Sequence, residues 1–427
     1  MSDLTRRNFL RLSLALPTPL AQQLAGSSSP GRKAPRAVVL GGGFSGLNAA
    51  LTLKSLSPAW EVTVIESQKT HYRCPGSNAV IAGRTPMRQL QINAAPYLKA
   101  HGIHYRTGTG SKIDPLRRKL FLSDGTSLGY ERLILAPGIG FHWNTLEGYD
   151  EAISHKLLHA WQAGPQTSML RDQVRSMRPG GLFLMTVPAG PYRCPPGPYE
   201  RVSLIASHFK KHNPRAKILI LDAKTKFPKE RAFRAAWSRL YPGMIEWLSF
   251  ETEGQMERLD PKKREILTEF GRFRGDVLNI IPPQKAAPVA ERFGLTDASG
   301  WCPVAPDTFK ARDFDEIHVI GDAARYGAVP KSAFAAQAEG RLCALGIVLE
   351  SLGQPIPKPR LINHCYSFVS GDEAISVTGI YEQKPESPAE METLSVMESQ
   401  PGDDLRREAA HAEDWMKLLV KSSFGSG

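Results

Sequence analysis

The chain is short of several things, and each shortage removes a class of function. No run of roughly 18 apolar residues occurs along its 427 positions, so no transmembrane helix is expected. Cysteine is scarce, with five residues, and no two stand as CxxC, which argues against a zinc knuckle or a thioredoxin-like motif. CxxCH is missing as well, so any c-type haem would have to sit on another polypeptide. No Lys/Arg block with interleaved aromatics suggests nucleic acid. The 37 glycines and 33 prolines follow no triplet period, which excludes a collagen-like chain and leaves many tight turns. What remains is ordinary for a globular protein, 41% apolar and 22% charged residues, and the length suggests two to four domains with a core able to hold a cofactor. The net charge is +12, and +7 without the first 36 residues, which is modestly basic and compatible with an acidic protein partner.

Part of that charge belongs to the N-terminus. Thr5-Arg6-Arg7-Asn8-Phe9-Leu10 precedes a weakly apolar stretch, Leu12 to Leu20, and then small and polar residues from Ala25 to Pro30. Paired arginines before Phe-Leu resemble a twin-arginine export signal. Residues 1–30 are accordingly expected to be an address outside the fold, and the mature protein to work in the bacterial periplasm, where disulfides can form.

Ala37-Val38-Val39-Leu40 reads as a strand buried on both faces and runs into Gly41-Gly42-Gly43-Phe44-Ser45-Gly46. A helical pattern follows, then a second strand, Glu61 to Ile65, ending at Glu66. In such a unit Gly41 makes the tight turn, Gly43 admits a pyrophosphate and Gly46 permits close helix–strand packing. Glu66 accepts from ribose hydroxyls and disfavours a 2′-phosphate, leaving FAD or NAD. Downstream, Arg132-Leu133-Ile134-Leu135 leads into Ala136-Pro137-Gly138, and Ile317-His318-Val319-Ile320 leads into Gly321-Asp322-Ala323. A strand ending in Gly-Asp-Ala far from the first glycine loop resembles the second FAD motif of flavoproteins with two dinucleotide domains, with Asp322 on the ribityl–phosphate part. Lys331, just beyond, is a candidate cation for the charge that develops at flavin N1.

The middle of the chain repeats this plan without the glycines. Leu182 to Val187 and Lys217 to Leu221 read as buried strands around a helical segment, Tyr199 to Lys211, with Asp222 closing the second. Where a phosphate loop should be, prolines 191, 195, 196 and 198 remove amide donors, so this domain is expected to keep the fold without binding NAD. Of the cysteines, Cys302 and Cys343 read as buried core thiols. The odd count leaves one sulfur that a covalent cofactor bond could occupy.

Longer motifs now carry a resemblance. Cys194-Pro195-Pro196-Gly197-Pro198-Tyr199-Glu200-Arg201, Tyr241-Pro242-Gly243-Met244-Ile245-Glu246-Trp247, Trp301-Cys302-Pro303-Val304, Cys365-Tyr366-Ser367 and Ile375-Ser376-Val377-Thr378-Gly379-Ile380-Tyr381 resemble the flavoprotein subunit of flavocytochrome c sulfide dehydrogenase. The resemblance implies an α/β fold with two Rossmann-like, glutathione-reductase-like dinucleotide domains and a C-terminal α+β segment. Expected boundaries are 36–146 and 288–350 for the FAD domain, 147–287 for the inserted domain and 351–427 for the last. It implies FAD held covalently through Cys74, a redox-active disulfide between Cys194 and Cys365, Glu200 as base, no metal, and a c-type cytochrome subunit as partner. Hydrosulfide would open the disulfide to a persulfide and a thiolate, and two electrons would pass to FAD and then singly to haem. Three alternatives compete: a sulfide:quinone oxidoreductase, a flavin thiol–disulfide oxidoreductase serving a periplasmic sulfur-oxidation complex, and a non-catalytic electron-transfer subunit.

Overall fold

The computed structural model describes residues 33–252, 254–385, 390–400 and 402–425, so the expected export signal lies outside the described residues. Its first layer is a parallel sheet of five strands in the order Ile317–Val319, Arg132–Leu135, Arg36–Leu40 (β1), Glu61–Glu66 (β2), His104–Thr107. β1 lies at its centre, and Val38 and Val39 are buried, as an apolar run flanked by strands on both sides requires. Helix α1, Phe44–Leu56, lies against this sheet and against the helix Ala333–Ser351. Their approach is close because Gly340 lacks a side chain: a Cβ there would stand 2.2 Å from the Ser45 carbonyl oxygen. One sheet is thus assembled from chain ends nearly 200 positions apart, because its fifth strand arrives from the far side of an insertion.

The insertion leaves and returns through an antiparallel ribbon, Ile139–Phe141 against Gln284–Ala286. It builds a second parallel sheet in the order Ile245–Leu248, Lys217–Asp222, Leu182–Val187, Val277–Ile280. Helix α2, Gly197–His212, crosses from the third of these strands to the second. It starts directly after the proline-rich loop, with Pro198 inside its first turn, where a missing amide hydrogen does no harm.

The last segment is a three-stranded antiparallel sheet, Arg360–Phe368 (β3), Ala374–Gln383 and Met391–Glu398, followed by helix α3, Leu405–Phe424. α3 returns to the first domain. Its Phe424 ring meets Phe44 edge-on at 4.8 Å, and Asn48 Nδ2 donates to Ser423 Oγ at 2.9 Å. Cys365, on β3, is thereby carried back over the carboxyl ends of the first sheet, the face on which open α/β sheets bind ligands. Among the described residues no helix is long and apolar enough to cross a membrane.

Candidate active site

The glycine loop is shaped by near collisions. Gly41 has φ +118°, and a Cβ on it would stand 2.1 Å from the Ala136 carbonyl oxygen. A Cβ on Gly46 would stand 2.0 Å from the Gly41 carbonyl oxygen, so Gly46 serves packing behind the turn. Gly43 is the opposite case: nothing lies within 4 Å of its Cβ position. It caps α1 without any side-chain hydrogen bond, and no acidic residue occupies that helix's first turn. Free amide donors beside open space make an anion site. Glu66, at the end of β2, takes the Gly42 N–H and the Gln68 N–H, each at 2.8 Å, with His71 Nδ1 at 3.2 Å. Burial opposes its charge, but His71 and the two amides prevail and hold the carboxyl below its usual range.

A cavity of about 830 Å³ runs from this loop to the C-terminal sheet. Gly41, Gly43, Glu66, Cys74, Ala136, Gly138, Cys194, Glu200, Asp322 and Cys365 all line it. Sequence-distant residues therefore share one space. Gly321 brings Asp322 to the glycine loop: a Cβ on Gly321 would stand 2.4 Å from Ser45 Oγ. Lys331 departs from the expectation. It is not among the lining residues; its Nζ donates to the Ala324 carbonyl at 2.7 Å and sits 3.8 Å over the Trp301 ring. Its contribution is through the backbone, where its carbonyl accepts the Cys194 N–H at 2.7 Å.

Cys194 stands at φ +57°, a left-handed position costly for a residue with a side chain. The bond to Lys331 and a second one, from Gly197 N–H to the Cys194 carbonyl at 2.8 Å, hold it there at the foot of α2. One turn on, Glu200 accepts from Asn78 Nδ2 at 2.7 Å and from the Phe368 N–H at 3.0 Å, which ties α2 to β3. Burial raises the Glu200 pKa despite those donors, so it holds a proton more readily than a surface glutamate.

All five cysteines are free, and the expected Cys194–Cys365 disulfide is therefore not formed in this structure. The two stand as a dithiol on the same cavity. Burial pushes both thiols up. Cys194 is pushed further, because Cys365 and Glu200 add to burial there against Lys229 and Arg193. At Cys365, Lys229 opposes burial and Glu200 reinforces it. Cys74 is likewise a free thiol, its sulfur 3.4 Å from the Ala163 N–H. Cys302 and Cys343 are fully buried, the former pushed to about 12 by burial, and neither lines the cavity.

Sequence reasoning missed the cations that organise the site. Arg193 Nη1 is 3.7 Å from Asp322 Oδ2; burial would lower its pKa, but Cys74, Asp322 and Cys194 hold the guanidinium charged. Arg201 is 1% exposed and fully engaged, bonding Asn78 Oδ1, Asn279 Oδ1 and the carbonyls of His159 and Ala160 at 2.7–3.0 Å. Burial lowers its pKa to about 9. The available signal was an arginine inside the apolar stripe of α2. Lys229 carried no such signal; it reaches the site from the loop before the helix Glu230–Leu240.

The cavity fits FAD. It falls in the size range of cofactor sites. Gly43, and Gly138 likewise, offers backbone with open space in front. The Trp415 Nε1 hydrogen finds no acceptor among the described residues although Trp415 lines the cavity. The glycine loop would hold the pyrophosphate, Glu66 a ribose and Asp322 the ribityl–phosphate part.

In the inserted domain the acid that a second dinucleotide would need is already engaged. Asp222, which ends Lys217–Asp222 where a ribose acceptor is needed, is 0% exposed. Its carboxylate takes the Tyr199 hydroxyl at 2.5 Å, the Trp247 Nε1 hydrogen at 2.9 Å and the Lys224 ammonium at 2.5 Å.

Comparison with known proteins agrees with this layout. Residues 167–282 match the family described as sulfide dehydrogenase [flavocytochrome c] flavoprotein chain, central. Residues 357–424 match flavocytochrome c sulphide dehydrogenase, flavin-binding, and residues 35–165 match pyridine nucleotide-disulphide oxidoreductase. The sulfide dehydrogenase [flavocytochrome c] flavoprotein chain of Chlorobaculum thiosulfatiphilum is 47% identical over 45 residues, 94% of that sequence and 10% of this chain. The mitochondrial sulfide:quinone oxidoreductase of Mus musculus is 22% identical over 365 residues, 82% of this chain and 79% of its own. Among solved structures, the sulfide:quinone oxidoreductase of Aquifex aeolicus superposes with a TM-score of 0.74 at 16% identity, covering 91% of this chain and 92% of that one. That last likeness speaks for the fold alone.

Proposed function

The chain belongs to the flavoprotein-chain family of the flavocytochrome c sulfide dehydrogenases, and on that premise we propose that it oxidises hydrosulfide at Cys194 and Cys365 and delivers the electrons, through FAD, to a c-type cytochrome on another chain. The observation that carries the reading is the single cavity on which the glycine loop, Asp322, Glu200 and both cysteines converge.

Each residue has a task there. Hydrosulfide would open a Cys194–Cys365 disulfide by exchange, one sulfur taking the new S–S bond and the other leaving with the electron pair. The rigid turn at Cys194 and the β3 ladder at Cys365 would keep the two sulfurs opposed through the cycle. Glu200, its carboxyl raised by burial, would take the substrate proton as base. Arg193 would hold the anionic parts of the site in place beside Asp322. Bound FAD supplies the chemistry that no side chain has: it accepts an electron pair and releases electrons singly. Cys74 would anchor it covalently.

Sulfide:quinone oxidation is the competing reading, favoured by the similarity to the mouse enzyme. The tail helix α3 weighs against it. A membrane-docking helix would turn an apolar face outward, whereas Leu419, Val420 and Phe424 are buried in the protein and Leu418 is its one large apolar side chain counted among the exposed ones. CxxCH is missing from the chain, so the haem belongs to the partner. Periplasmic export by the twin-arginine route fits a partner of that kind. The deciding experiment is steady-state turnover with sulfide and either a c-type cytochrome or a water-soluble quinone analogue. Turnover with the cytochrome is expected; turnover with the quinone alone would overturn the proposal.

A further inference from the structure

Lys229 is 1% exposed, and among the described residues no carboxylate lies within ion-pair distance of its ammonium. Its Nζ donates to Ser367 Oγ at 2.8 Å and approaches the Cys365 carbonyl at 3.5 Å, both on β3. Its backbone is pinned as well, in the left-handed region at φ +61°, with its N–H donating to Glu398 Oε1 at 2.9 Å. A buried ammonium is costly unless some anion compensates it. Burial lowers the Lys229 pKa, and the groups that oppose this from the surrounding elements are Cys365 on β3, Glu200 on α2, Cys194 on the proline-rich loop and Glu398 on the last strand. Glu200 is already satisfied by Asn78 and the Phe368 amide, and Glu398 binds the Lys229 amide. Of the two sulfurs, Cys365 shares its strand with the hydroxyl that aims the ammonium.

We propose that Lys229 is a positioning residue whose ammonium, aimed at β3 by Ser367, makes Cys365 the sulfur of the reduced cysteine pair that ionises first. The inference rests on the reading of Cys194 and Cys365 as the reacting pair. Cys194, raised further by burial, by Cys365 and by Glu200, then keeps its proton longer. A reduced pair that ionises first at one known sulfur has a defined nucleophile and a defined leaving group.

The test reads the thiols directly and needs no sulfide turnover. Holoprotein is reduced with dithiothreitol, freed of reductant and alkylated with iodoacetamide across the thiol titration range, with Cys194 and Cys365 quantified separately by mass spectrometry. In Lys229→Met the Cys365 midpoint should rise by about one pH unit or more, roughly tenfold slower alkylation at fixed pH, with a smaller change at Cys194. Ser367→Ala, which frees the ammonium but keeps its charge, should shift Cys365 the same way by less. Should Lys229→Met not accumulate as folded holoprotein, Ser367→Ala decides. A Cys365 profile superimposable on wild type in the folded variants overturns the proposal, because a lysine that only packs would change stability and leave the thiol titration in place. Sulfide bleaching of the wild-type flavin is a separate readout: its failure would sink the proposed function, and a Lys229-dependent Cys365 titration would stand regardless.

Discussion

Gly43 and Gly46 are three residues apart on one loop, yet alanine at each should fail in a different way. At Gly46 the new methyl would stand 2.0 Å from the Gly41 carbonyl oxygen, and that oxygen is backbone held in the turn. Reaching an ordinary contact of 3.4 Å requires α1 and the turn to separate by about 1.4 Å. That movement loosens Leu47, Ala50 and Leu53, all fully buried. Overpacking of this kind costs about 1–3 kcal/mol, a fall in Tm of a few °C in a protein of this size. At Gly43 the backbone is extended, φ −83° and ψ −169°, and no atom lies within 4 Å of the methyl. The fold should not notice, or should gain about 0.4–1 kcal/mol from the stiffer unfolded chain. The pyrophosphate would notice, because the methyl fills the space it needs, and FAD affinity should fall by about tenfold or more. The assay is thermal unfolding of the apoprotein together with the flavin-to-protein absorbance ratio after gel filtration, in a Cys74→Ser background so that only non-covalent contacts retain the cofactor. A Gly43→Ala protein with full flavin content, or a Gly46→Ala protein with an unchanged Tm, would refute the reasoning.

NADH at micromolar concentration should not bleach the flavin, since the prolines leave no phosphate nest and Asp222 has no lone pair to offer a ribose; rapid bleaching in a stopped-flow trace would contradict this. Cys74→Ser should release yellow colour into the filtrate after denaturation and filtration while wild type keeps it; colour in the wild-type filtrate would dispose of the covalent bond. Cys194→Ala or Cys365→Ala should lower sulfide-driven flavin reduction by several orders of magnitude with FAD still bound, whereas Cys302→Ala should show only a packing loss of about 1 kcal/mol. Near-normal rates in Cys365→Ala would end the exchange mechanism. His318 is fully buried, and burial lowers its pKa from 6.5 to about 4. Between those values the unfolded chain binds the proton and the folded one does not, so stability present above pH 6.5 is lost as pH falls toward 4, on the order of 3 kcal/mol. His318→Gln should flatten that slope in Tm measured against pH; an unchanged slope would place the loss elsewhere.

The parts of this protein that are legible in its sequence are those written locally. Ala37 to Leu40 is a strand because four apolar residues run directly into a glycine turn, and Gly41, Gly43, Glu66 and Asp322 meet at one cavity because strand–turn–helix units always present the same sheet end. Cys194 and Cys365 stood out only through a family resemblance, since nothing local says that β3 folds back over the first domain. Three features could not be read. The redox state of the cysteine pair is not encoded in its spacing. The direction of Lys331 was decided by Trp301, which offers an indole face to its ammonium. Lys229 reaches from the loop before the helix Glu230–Leu240 to a strand residue 138 positions later in the chain, and its approach to Ser367 exists only after the last segment has docked.

The hydroxyl that closes off Asp222 belongs to Tyr199, the neighbour of Glu200 on α2. Phe227 stacks on the same ring at 3.7 Å. The carboxylate that would recognise a nucleotide in the inserted domain has thus become a peg for the helix that carries Cys194 and Glu200. For anyone redesigning the electron source, the two properties are no longer independent: freeing Asp222 for a nicotinamide cofactor would unfasten Glu200 and Cys194 in the same stroke. Conversion to an NADH-driven enzyme by point substitutions therefore runs through variants that have lost the old activity before gaining the new one.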